Sequence, residues 1–347
     1  MLRLCHSVVL SAIAFALAGC GGGPEPRMRL GCYPTPTVGT AFPDPNALGA
    51  HSYAGSDKVG IVYTCRGGHI DLAHLRIAAD WSMYLANMSF DNLIKNKKEF
   101  SFKSKPAPSM YYVKITYPAN WADMRQNERE RIAREFSLTL GQYFGYVAST
   151  WHEIATWFGY KFVALLPEFS SSFSWEDSYS NLLGTRLAIA AIQDPNGYDR
   201  AMTLGIDREL AALGVQSRRI AEWAGEKMRG QWFSGRVVYM VNMKKRNFDI
   251  GLGDGYVTPT LVPDLTECWE AQAQAYPVPT LDEAGAHGFS VRLEIEPKIR
   301  VKKKILKVAY GDADKRGKRV EPTVHFPRIM DYIKQDAVKR LGPNVSD

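Results

Sequence analysis

The stretch 127-NERERIAREFSLTLGQYFGYVASTWHEIATWF-158 sets the architecture of this chain. Ile132, Phe136, Leu140, Tyr143, Val147, Trp151, Ile154 and Phe158 recur at intervals of three or four, one apolar face of a single long helix. The first half is charged on its far side. The second half is not: from Gly141 to Tyr160, Glu153 is the one acidic or strongly basic side chain. A helix that is amphipathic at one end and apolar around most of its girth at the other has to be enclosed by further elements. A carboxylate in that setting needs a hydrogen-bonding, cationic or metal partner, or else it holds a proton.

Working outward, 58-KVGIVYTC-65 has the β-branched character of a strand that stops at 66-RGG-68, and a helix follows from Asp71, its N-cap or first-turn residue. The run 110-MYYVKITY-117 reads as a strand closed by Pro118. A helix is expected over 174–192, with Ser174 as N-cap and Asp177 in the role of the capping-box acid. Two more are expected over 199–214, ending at Gly214, and over 217–230, with Ser217 as N-cap. Beyond Gly235 the texture turns to strands: 236–243 and 256–262 as a hairpin, then 289-FSVRLEIE-296 answered by 299-IRVKKKILKV-308. A closing helix over 327–342 has Pro327 in its first turn. The pattern is that of an α+β protein, a helical central part packed with a mostly antiparallel sheet and a C-terminal helix.

The N-terminus reads as a bacterial lipoprotein signal over residues 1–19. Arg3 is the positive region, 8-VVLSAIAFALAGC-20 is apolar, and small residues precede Cys20, the lipid attachment site. The apolar run is too short to span a bilayer lastingly. Residues 20–55 are a lipidated, Gly/Pro-rich tether or wrapping arm, 56–235 the mainly helical core, and 236–347 a β-rich part that can equally form one unit with the core. The expected location is the periplasmic face of the outer membrane, because Gly21 rather than aspartate follows Cys20. The expected contacts are the membrane, through the lipid, and an envelope polymer or protein partner. A formal net charge of +7 is modest for 347 residues, and no nucleic-acid partner is expected. Basic residues gather at 298–307 and 315–319, as a solvated face or toward envelope anions. Cys32, Cys65 and Cys268 allow one disulfide whose pairing the sequence leaves open.

Three stretches concentrate ligand-type side chains. In 66-RGGHIDLAHLR-76, Asp71 and His74 lie one turn apart, the spacing of a ligand pair or of a carboxylate that fixes an imidazole tautomer. His152 and Glu153 begin the metalloprotease pattern H-E-x-x-H, but Thr156 stands where its second histidine belongs. Glu176 and Asp177 open the helix after 173-FSW-175. His69 and Asp80 are further candidates, His69 as a loop residue after two glycines. Joined, these residues suit a divalent metal such as zinc, with Asp71, His74, His152 and Glu176 as ligands and Glu153 and Asp177 as catalytic groups, Glu153 the base. They equally suit a buried ion and hydrogen-bond network without catalysis. Cys65 behind a strand, with His69 and His74 following, is a weaker candidate for a thiol nucleophile.

The lipobox, R-G-G-x-I-D-x-x-H-x-R at 66–76, W-H-E-I-A-T-W-F-G at 151–159, F-S-W-E-D-x-Y-S-N-L-L-G at 173–184 and 246-RNFDIGLGDGYVTPTLVP-263 together resemble the domain of unknown function 4056 of bacterial lipoproteins. The resemblance implies no activity. It sets His69 and Cys65 outside the essential residues. The leading expectation is a metal-dependent hydrolase of a cell-envelope component; the alternative is a non-catalytic partner-binding or assembly lipoprotein.

Overall fold

The computed structural model describes residues 24–104, 107–161, 168–282, 285, 287–311 and 317–346. The expected signal over 1–19 and the expected attachment residue Cys20 lie outside them. The long helix is present as α2, Gln126–Trp157, and it is flanked by α1, Leu72–Ile94, and α3, Asp177–Ile192. α1 packs along both of the others. Close approach is bought with small residues: a Cβ on Gly145 would strike Ser82, one on Gly141 would meet Ala86, and one on Gly184 would fall on the Leu75 carbonyl. Trp151, Ile154 and Phe136 of α2 are fully enclosed, as its apolar girth requires.

Strand β1, Ile61–Thr64, turns through Cys65–Gly67 into β2, Gly68–Asp71, which sequence reading leaves as part of a loop. His69 is therefore a buried strand residue, not a loop residue. Its Nδ1 accepts from Trp175 Nε1, its Nε2 faces the Ala221 carbonyl, and burial pushes its pKa down to about 4. Strands β3, Glu99–Ser104, and β4, Ser109–Thr116, form a three-stranded antiparallel sheet with a strand far along the chain, Ser290–Pro297. Val113 pairs with Leu293 and Tyr111 with Ile295.

The α+β class holds, but the last third is less β-rich than expected. Residues 236–243 give only a 3-10 turn, Val238–Met240, and a two-residue strand β6, Asn242–Met243, paired with β5, Phe233–Ser234. Strand β7, Tyr256–Val257, pairs with β8, Tyr276–Pro277, rather than with 236–243. Ser290–Pro297 is β9, and its partner is β4, not 299–308. The latter run is helix α6, Lys302–Tyr310. Ile305 and Ala309 are its buried positions, a helical spacing, and its lysines are good helix formers. The closing helix α7, Pro322–Leu341, starts a turn earlier than expected: Pro322 takes the first-turn place and Pro327 lies inside the helix, exposed. Helices α4, Tyr198–Ala212, and α5, Arg218–Lys227, lie where the pattern puts them, and Ser217 Oγ accepts from the Ile220 amide.

Residues 24–55 wrap against the core, with Arg29, Thr35, Phe42, Leu48 and His51 buried. Arg29 pairs with Asp57 and Asp80, and His51 and Tyr198 also bond Asp80. Asp80 thus belongs to this clamp. Cys65 and Cys268 form a disulfide, and Cys32 is free.

Candidate functional site

A cavity of about 220 Å³ opens where α1, α2 and α3 meet the N-terminal arm. His74, His152, Glu153 and Asp177 line it together with Ser149, Asn181 and Trp81, and residues 28–33 of the arm supply the opposite wall. Asp71 and Glu176 do not line it. Four of the six residues named from the sequence thus line one cavity, and two do not.

Asp71 is spent on holding structure. Its Oδ1 accepts from the Ala73 amide, capping α1, and its Oδ2 accepts from the Cys32 amide, pinning the arm. Oδ2 also lies 3.2 Å from His74 Nδ1, which is 3.1 Å from Asp177 Oδ1. The imidazole is held by its Nδ1 edge between two carboxylates, so its Nε2 edge is turned toward Gly31, where a Cβ would come within 3.2 Å. Burial works against a charged His74, but Asp177 and Asp71 outweigh it and hold its pKa well above the usual value.

Glu153 and Asp177 grip one turn. Ser174 is not the cap of α3, which begins three residues later; residues 174–176 form a turn, with Glu176 at the N-cap place. Phe173 there has φ 54, a left-handed conformation uncommon for a bulky residue, and the fold keeps it because the turn's amides are used. The Phe173 amide donates to Glu153 Oε2 and the Ser174 amide to Asp177 Oδ2, each at 2.8 Å. The Ser172 hydroxyl donates to the Glu153 carbonyl. Burial together with the Asp177 charge pushes Glu153 up to about 8, against the opposing pull of His74. Glu153 therefore carries a proton at neutral pH.

Glu176 Oε1 accepts from the Ser174 hydroxyl, and its Oε2 meets no donor among the described residues. Burial and the Asp177 charge hold it well above the usual carboxylate range. One residue escaped the sequence reading. Arg246 is buried and donates through Nη1 to the Ser170 and Ser172 carbonyls and through Nη2 to that of Met243; burial lowers it to about 10, which still leaves it charged. The one available signal was an arginine that ends the basic run 244-KKR-246 and opens the turn-rich stretch that follows. His74 and Arg246 thus bring two cationic side chains to a cluster that holds four buried carboxyls, Asp71, Glu153, Glu176 and Asp177.

Among the described residues no group of three His, Cys, Asp or Glu is placed to hold an ion. Asp71 is occupied by two amides, Glu176 lies off the cavity wall, and His74 Nδ1 lies 3.2 and 3.1 Å from the Asp71 and Asp177 carboxylates. Cys32 does line the cavity, but burial and Asp71 push its thiol up to about 12, far from a nucleophilic thiolate. Cys65, tied to Cys268, is no nucleophile either.

Residues 42–260 match the family model described as a protein of unknown function, DUF4056. The chain belongs to the DUF4056 family. The matched span carries every group of the cavity's polar wall, whereas the arm wall at 28–33 and helices α6 and α7 lie outside it. No curated protein and no solved structure matches this DUF4056 chain. Its chemistry therefore has to be argued from the site.

Proposed function

We propose that this DUF4056 protein is a lipid-anchored hydrolase of the bacterial envelope, attached through Cys20 and facing the periplasm from the outer membrane, with Glu153 and Asp177 as its acid–base pair. The observation that carries the reading is the pairing itself. Two carboxyls on the wall of one cavity accept from consecutive amides, Glu153 pushed up to about 8 by burial and Asp177 lying 3.1 Å from His74, a set suited to acid–base work. The roles differ from the expected ones: Glu153, being protonated, is the acid, and Asp177 is the base. His74, set by Asp71, orients Asp177. The Cys65–Cys268 bridge supports an oxidising compartment such as the periplasm.

One observation favours the alternative, a partner-binding lipoprotein. The same two carboxyls clasp the 172–174 turn and so order the fold. The test is to purify residues 21–347 from a periplasm without chelator and incubate them with isolated envelopes, alongside Glu153→Gln and Asp177→Asn. Metal content is measured on the same samples. Soluble products that form with the native protein and vanish in both folded variants support the hydrolase. Envelopes left unchanged by the native protein refute it and favour the binding reading.

A further inference from the structure

The cavity changes character along α1. His74, Ile77 and Trp81 line it in succession, and the facing wall on α2, which runs antiparallel to α1, passes from Glu153 to Ala148. Polar groups gather at the end where α1 begins. Further along the wall is apolar, and Met28 and Leu30 of the arm complete it. Ser149 on that stretch donates its hydroxyl to the Gly145 carbonyl, and Arg29 is paired with Asp57 and Asp80. Leu30 lines the cavity yet is 67% exposed, so an apolar side chain stands at the mouth. The arm also decides which end lies toward the anchor. The Cys32 amide donates to Asp71, Gly31 lies against His74, and Arg29 reaches Asp80, so the arm runs antiparallel to α1. Followed back toward Cys20, it passes from the polar end of the cavity to the apolar one. The Pro24 carbonyl is tied to the Tyr53 hydroxyl, and Pro24 lies at most about 14 Å and Met28 at most about 29 Å from Cys20, the reach of a fully extended chain. Anchorage at Cys20 therefore holds the apolar end close to the bilayer.

We infer that the cavity binds a single-chain amphiphile drawn from the bilayer, with an uncharged, hydroxyl-bearing head of the monoacylglycerol kind at the His74 end and its hydrocarbon chain running past Ile77 and Trp81 to the mouth at Leu30. The inference names the ligand class of the site proposed above; it rests on anchorage at Cys20 and not on the acid–base roles. A chain that leaves a bilayer is already out of water, so the protein has to offer walls of matching apolarity and then add contacts at the head. The apolar stretch supplies the first. The polar end supplies the second, because Asp177, Glu153 and the Asn181 amide bring hydrogen-bond acceptors to the wall, and hydroxyl groups are the donors that suit them. An anionic head suits this end poorly, since the carboxyls there outnumber the lining histidines that lie beside them only by repelling it, and Arg29 is already paired.

The experiment measures transfer out of a membrane. Phosphatidylglycerol vesicles holding tritiated 1-O-hexadecylglycerol, an ether that no hydrolase of esters or amides can cleave, are incubated with residues 21–347. The vesicles are sedimented, and label left with the protein is counted against protein concentration. Retention should saturate near one molecule per chain. Leu30→Glu at the exposed mouth and Ile77→Glu on the wall should each weaken it at least about ten-fold, and Leu204→Glu, an exposed leucine of α4 away from the cavity, should leave it unchanged. No retention, or retention that neither cavity substitution lowers, would overturn the inference. Tritiated palmitate retained as well as the ether would overturn the uncharged head. Because the ether is not cleaved, none of these results bears on the hydrolase reading. Anchorage is read separately, from whether the native precursor sediments with bacterial membranes and Cys20→Ala does not.

Discussion

Replacing Glu153 with glutamine tests the electrostatics on which the site depends. The unfolded chain ionises this carboxyl above its ordinary value of 4.5, whereas the folded protein keeps it protonated up to about 8. A folded pKa that is raised favours the folded state fully below pH 4.5, and the advantage is lost as pH climbs toward 8. From pH 4.5 to pH 7, at about 1.4 kcal/mol per pH unit, the loss is about 3 kcal/mol. His74 works in the same direction, since its raised pKa also gives stability that disappears at high pH. Glutamine keeps the shape: its oxygen can accept from the Phe173 amide, and its NH2 can donate to Asp177, without a proton to lose. Urea unfolding of both proteins from pH 4.5 to pH 8 should therefore show Glu153→Gln gaining about 3 kcal/mol on the native protein between pH 4.5 and pH 7. The part of the pH slope due to His74 should survive. A difference between the two that stays constant with pH would mean that Glu153 is already ionised, and the acid role assigned to it would fall.

His74→Asn removes the cation between Asp71 and Asp177 and should cost about 3–5 kcal/mol near pH 6; because the raised pKa of His74 stabilises fully below 6.5 and less as pH rises through its folded value, the cost should shrink toward high pH, read from the same urea midpoints. Gly184→Ala places a Cβ on the Leu75 carbonyl and should destabilise by at least about 2 kcal/mol, measured by thermal unfolding. Reducing the Cys65–Cys268 bridge, which closes a separation of 203 residues, should cost about 2–5 kcal/mol, seen as a lower urea midpoint in reductant. Arg29→Ala leaves buried Asp57 and Asp80 short of a cation and should free the arm, so that limited proteolysis cuts before residue 48 in the variant and not in the native protein.

How much of this was legible varies with the range of the interactions involved. The 3.6-residue period over 132–158 gave α2, and its unusual second half gave the buried setting of Glu153, because both follow from the order of side chains along one helix. The cap residues Asp71 and Ser217 were equally readable. The partner of β9 was not: adjacency suggested 299–308, while the sheet uses β4, more than 170 residues earlier. Local alternation of apolar residues does not name a partner, and a lysine-rich run with apolar spacings compatible with either period went to helix where packing against α7 rewarded it.

The candidate site divides in the same way. Sequence alone brought Asp71, His74, His152, Glu153, Glu176 and Asp177 into one list, because ligand-type residues on apolar helices have to be reconciled with burial somewhere. Which of them face a cavity, which cap a helix, and which hold protons are properties of distance. The left-handed turn at Phe173 lifts two amides to two carboxyls, Arg246 arrives from a loop some 70 residues on, and Gly31 lets the arm lie against His74. Composition and periodicity determined that the chain must bury a carboxylate. Only the tertiary structure decided its partners, because Coulomb and hydrogen-bond energies depend on separations of a few ångströms that no one-dimensional pattern encodes.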